Sequence, residues 1–144
     1  MKNLWKVAAL LLVMTLSALT GCAEPPSPTP SSAEPEAIAR TEFTDRIENF
    51  FEYEPLKAAS ASQFRIHLTD LSDGSPVEKA DVSLTVRKAG AVETVVQTTA
   101  KVGKVTGIYV AELRIPQTGL YDIEFRIKNA KLDERLPLSG FKVE

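Results

Sequence analysis

Gly119-Leu120-Tyr121-Asp122-Ile123-Glu124-Phe125-Arg126-Ile127-Lys128 decides the fold. Tyr121, Ile123, Phe125 and Ile127 occupy one phase of a two-residue period, and Asp122, Glu124, Arg126 and Lys128 occupy the other. Successive side chains of an extended strand point to opposite sides, so this stretch reads as a strand with one face in a core and one in water. Its opening adds a second signal. Gly119-Leu120-Tyr121 places a tyrosine at the start of a late strand, two positions before an inward apolar residue. That is the setting of a tyrosine corner, in which the phenol hydrogen-bonds to backbone across the end of an immunoglobulin-type sandwich.

Working outward, the same alternation recurs. Phe64, Ile66 and Leu68 alternate with Arg65, His67 and Thr69, and Val82, Leu84 and Val86 alternate with Ser83, Thr85 and Arg87. Turn-forming clusters separate such stretches: Ser72-Asp73-Gly74-Ser75-Pro76, Lys88-Ala89-Gly90, Lys101-Val102-Gly103-Lys104 and Pro116-Gln117-Thr118-Gly119. The pattern predicts about seven strands, near 48–54, 62–70, 81–88, 92–99, 107–115, 119–128 and 134–143. No segment of this region carries a convincing helical period. Short alternating strands of this number predict an all-β, immunoglobulin-like antiparallel sandwich over residues 42–144.

The opening of the chain follows different physics. Lys2 and Lys6 precede an apolar stretch, Val7 to Leu19, that is too short for the roughly 20 residues of a membrane-spanning helix. It ends in Leu19-Thr20-Gly21-Cys22, which resembles the bacterial lipobox. Residues 1–21 therefore read as an export signal, and Cys22 as the cysteine that receives lipid after cleavage. Several acyl chains, each methylene contributing ~0.8 kcal/mol, would hold the chain firmly to a membrane. Residues 22–41 hold Pro25, Pro26, Pro28, Pro30 and Pro35 among Ser, Glu and Ala, a composition that reads as a linker. Ala23 rather than Asp follows Cys22, which in a two-membrane bacterium resembles the pattern that sends such a lipoprotein to the periplasmic face of the outer membrane; in a single-membrane bacterium the same signal would leave it on the outer face of the cell membrane.

Composition removes several kinds of chemistry. Met1, Met14 and the single tryptophan, Trp5, all lie in the signal, so the mature chain holds no methionine or tryptophan. Cys22 is the one cysteine, so no disulfide forms within the chain, and lipid consumes its thiol. The 17 basic residues, two of them in the signal, are outnumbered by 19 acidic ones, which argues against nucleic acid as a partner. A hydrolase would need a base beside its nucleophile, and His67 is the one histidine, on the wet phase of its strand and without a Gly-x-Ser-x-Gly elbow. Gly103-Lys104-Val105-Thr106-Gly107 lies between strands rather than ahead of a helix, so it reads as a hairpin connection and not as a phosphate cradle.

Phe51-Glu52-Tyr53-Glu54-Pro55-Leu56, the strand from Phe64 through His67-Leu68-Thr69, and the turn leading to Pro76-Val77 carry a family resemblance. Together they are similar to the N-terminal domain of the periplasmic adaptor (membrane-fusion) subunits of heavy-metal resistance-nodulation-division efflux pumps. Gly107-Ile108-Tyr109 and Gly119-Leu120-Tyr121-Asp122-Ile123 are similar to the closing half of that domain and to YtkA-like immunoglobulin-type domains. An adaptor continues into lipoyl-like, hairpin and barrel domains, whereas this sequence stops at Glu144.

The expectation is thus a membrane-anchored, non-enzymatic binding or accessory module without a cofactor, with a protein partner in an efflux assembly. The alternative is an envelope metal chaperone or sensor that uses His67 with nearby carboxylates such as Asp70 and Asp73.

Overall fold

The computed structural model describes residues 35–144. Cys22, the signal ahead of it and most of the Pro-rich linker lie outside the described residues. Nine strands run along the described chain: β1 (Ile38–Phe43), β2 (Ile47–Tyr53), β3 (Ala61–Asp70), β4 (Asp81–Lys88), β5 (Thr94–Thr99), β6 (Lys101–Val102), β7 (Ile108–Arg114), β8 (Gly119–Lys128) and β9 (Asp133–Val143). They form two antiparallel sheets, ordered β1-β2-β3-β7-β6 and β5-β4-β8-β9, stacked as a sandwich of immunoglobulin type.

Alternation explains which face each strand buries. Tyr121, Ile123, Phe125 and Ile127 of β8 are buried against Phe51, Phe64, Ile66 and Leu68 from β2 and β3. Five aromatic rings condense into one block. Phe51 lies 4.8 Å from Phe125, Tyr53 stacks on Phe64 at 4.8 Å, and Phe141 of β9 lies 5.6 Å from Tyr53. A block of this kind gains dispersion energy beyond simple burial.

Two strands exceed the seven read from sequence, and both have a physical reason. β1 begins at Ile38, inside the segment read as linker. Its inward positions are Arg40 and Glu42 rather than apolar residues, so its alternation carries the opposite sign. β6 is two residues long, below the length at which a period can be recognised.

β5 and β6 are one run of chain that changes sheets at Ala100, whose amide donates to the Val82 carbonyl at 2.7 Å. β5 then pairs with β4 in one sheet, and β6 with β7 in the other. Strand switching of this kind makes the corner of many sandwiches. On the far side, β9 pairs with β8 through a bulge in which Ser139 and Gly140 oppose Asp122 alone. Gly140 takes a φ of +86°, a value that an L side chain resists.

Candidate functional site

The connections at one end of the sandwich build a cleft of about 390 Å³ between the β3–β4 segment and the β8–β9 turn. The β3–β4 side is held by local hydrogen bonds. The Asp70 amide donates to the Ser75 carbonyl at 2.8 Å, and the Gly74 amide donates to the Asp70 carbonyl at 2.8 Å. The Asp70 carboxylate accepts from the Ser72 hydroxyl at 2.6 Å and from its amide at 2.9 Å. Those donors, the hydroxyl first, hold the Asp70 carboxyl below the usual range, with Arg46 and Lys131 adding smaller pulls. Ser75 does the same for Asp73.

Beyond this turn, Thr69 bridges to Pro76, and the Val77 amide donates to the Leu68 carbonyl at 2.9 Å. Tyr109 then clamps the segment from inside. Its buried hydroxyl donates to the Val77 carbonyl at 2.8 Å and accepts from the Ala80 amide at 3.1 Å. Gly107 is required here, because a Cβ at that position would stand 2.5 Å from Cβ of Pro76, and its φ is +80°. The other wall is shaped by Asn129. Its Oδ1 accepts from the amides of Lys131 and Leu132 at 2.8 and 3.0 Å, and its Nδ2 donates across the cleft mouth to the Glu78 carbonyl at 3.1 Å. Buried Val77 and Leu132 supply an apolar floor, and Asp70, Glu78, Lys79 and Lys131 supply charge of both signs around it. Such a cleft is suited to holding a polar chain segment against a small apolar base.

His67 sits elsewhere, on the outer face of the five-stranded sheet. Phe50, its cross-strand neighbour, meets the imidazole edge-on with centroids 5.3 Å apart. Its Nε2 is shut from solvent and has no hydrogen-bond partner among the described residues. Among those residues no group of three or more His, Cys, Asp or Glu side chains gathers to hold a metal. Asp70 and Asp73 bind their own turn and do not converge on His67. Tyr121, buried, donates its hydroxyl to the Gln117 carbonyl at 2.9 Å, four residues upstream, which is the tyrosine-corner contact.

Three features escaped the sequence reading. Tyr109 entered the sequence reading only through the family resemblance, and its hydroxyl partners lie some 30 positions away in the chain. Asn49 occupies an inward position of β2, is 0% exposed, and neither of its side-chain polar atoms has a partner in the described structure. A polar residue in the apolar row of Ile47, Phe51 and Tyr53 was the available signal. Arg40 was the third. It donates to the Ser139 carbonyl of the opposite sheet at 3.1 Å, lies 4.8 Å above the Phe141 ring and pairs with Glu42 at 2.6 Å. Burial pushes the Tyr53 phenol up, and the Arg40 guanidinium beside it pulls part of the way back.

No helix among the described residues is long and apolar enough to cross a membrane. No curated protein and no solved structure matches the chain. A family match does exist, to the YtkA-like domain over residues 44–126, from the turn ahead of β2 to the last third of β8. That span takes in the tyrosine corner, the Tyr109 clamp and the β3–β4 wall of the cleft, and the chain belongs to the YtkA-like family.

Proposed function

We propose that this chain is a non-enzymatic recognition module, held at the periplasmic face of the outer membrane by lipid on Cys22, that serves an efflux assembly as an accessory protein. The observation that carries the reading is the cleft. Its walls are fixed by Tyr109 and Asn129, its floor is apolar, and its rim carries two acidic and two basic side chains. Fixed walls lower the ordering cost of binding, and a mixed rim selects a partner segment by charge pattern rather than by bulk charge. The efflux setting is supported by the position of the adaptor-like residues. Pro76 and Val77 line this cleft and are held in place by Thr69 and Leu68, through the Thr69–Pro76 bridge and the Val77–Leu68 hydrogen bond.

The test is in-cell photo-crosslinking of the full-length protein with a photoreactive residue at Lys131 or at Glu78. The expected result is a discrete adduct with an envelope protein from both positions, lost when Cys22→Ser removes the anchor. Absence of an adduct from both positions overturns the recognition reading. An adduct with a protein that is no part of a pump removes the efflux setting alone.

A further inference from the structure

β1 and β9 both lie outside residues 44–126, which match the family. They differ in what they give the core. β9 contributes Leu136, Phe141 and Val143, all buried, whereas no side chain of β1 is buried. Ile38 and Phe43 are exposed, and the inward positions between them hold the half-buried Arg40 and Glu42. The strand is held by its ladder with β2, and by Arg40 reaching the Ser139 carbonyl and the Phe141 ring. A segment that buries so little apolar surface has little to offset the entropy lost when its backbone is ordered.

Asn49 stands across from Glu42 in that ladder, at 0% exposure, with both polar atoms of its side chain unpartnered among the described residues. Shutting such an amide from water is unfavourable, and the penalty applies while β1 is in place. With β1 gone, β2 becomes the edge of its sheet and water reaches Asn49. The turn at which β1 parts from β2 is closed by its own bonds. The Thr44 amide donates to the Ile47 carbonyl at 2.9 Å, and Thr44 Oγ1 accepts from the amides of Arg46 and Ile47, both at 3.1 Å. β2 in turn keeps its ladder with β3 and its buried Ile47, Phe51 and Tyr53.

We propose that β1 is a releasable strap, which leaves the sandwich as a unit while the other described strands stay folded. Cooperative units of this size open at free energies below that of global unfolding. Arg40 is the latch of the closed state, and the orphaned amide of Asn49 keeps that state from lying far below the open one. Release hands Ile38–Phe43 to the chain ahead of it, about 20 Å of added contour. The use of that contour as extra tether rests on the lipid-anchor reading above, whereas the opening itself does not.

The experiment is native-state hydrogen exchange of the full-length protein in detergent at low denaturant concentrations, with and without Asn49→Val. The amides of Ile38–Phe43 that bond to β2 should share one opening equilibrium that barely responds to denaturant. They should exchange more than about tenfold faster than those of Ile123 and Phe125 in β8. Asn49→Val should slow exchange in β1 about fivefold, because it relieves the closed state alone. Cys22→Ser should give the same profile, so failure of the lipid-anchor reading leaves the strap untouched. Three results would each overturn the proposal: β1 amides that share the denaturant slope of β8, protection that decays residue by residue from Phe43 to Ile38 as in simple fraying, or Asn49→Val slowing β8 while β1 is unchanged.

Discussion

On the β1/β9 side of the sandwich, Arg40 reaches from one sheet to the Ser139 carbonyl of the other and covers the Phe141 ring. On the β5/β6 side, a single run of chain changes sheets at Ala100 and leaves an uncharged edge facing outward. Both sides join the two sheets, by different means. The first uses a long cationic side chain whose aliphatic stem and planar head shield aromatic rings. The second uses the backbone itself. A side closed by a side chain depends on that residue, whereas a side closed by a strand switch tolerates changes in its outward side chains. The difference teaches on which side substitutions should be felt in stability and on which they should be tolerated.

The largest effect is expected beneath the closed side. Phe141→Ala removes a fully buried ring from the aromatic block and should lower unfolding free energy by about 3–5 kcal/mol in denaturant titration. A loss below about 1 kcal/mol would mean that the block is not the keystone of that side. Arg40→Ala should cost about 1–2 kcal/mol, because Glu42 loses its partner and Phe141 its cover. Asn49→Val tests the same region from within. Both polar atoms of the Asn49 side chain are desolvated without a described partner, so the change should raise stability by about 1 kcal/mol. A loss instead would show that the amide is hydrogen-bonded in solution. The smallest effect on stability belongs to the β5/β6 side, where Gln97→Lys, at an exposed position of β5, should shift unfolding by less than about 0.5 kcal/mol.

Much of this was legible in the sequence, for a reason that also explains what was not. β2, β3, β4, β7 and β8 announce themselves because their inward rows are apolar, as in Tyr121, Ile123, Phe125 and Ile127, apart from Asn49 of β2 and Ser62 of β3. The tyrosine corner was readable because its partner, Gln117, is four residues away. β1 was not, since Arg40 and Glu42 invert the expected pattern at an edge that needs charge. The cleft was not either. It depends on Asn129 meeting the Glu78 carbonyl and on Tyr109 meeting Val77, contacts between segments that only the crossing between sheets brings together. His67 drew attention as the one histidine, and the structure places it under Phe50, away from the cleft.

The measurement that bears most directly on the contrast between the two sides is amide hydrogen exchange of the full-length protein in detergent, with and without Arg40→Ala. Exchange of Ile38–Phe43 should quicken in the variant, while that of Thr94–Thr99 stays constant. Equal change in both segments, or none in Ile38–Phe43, would contradict the account, because the β1/β9 side would then not depend on its side chain.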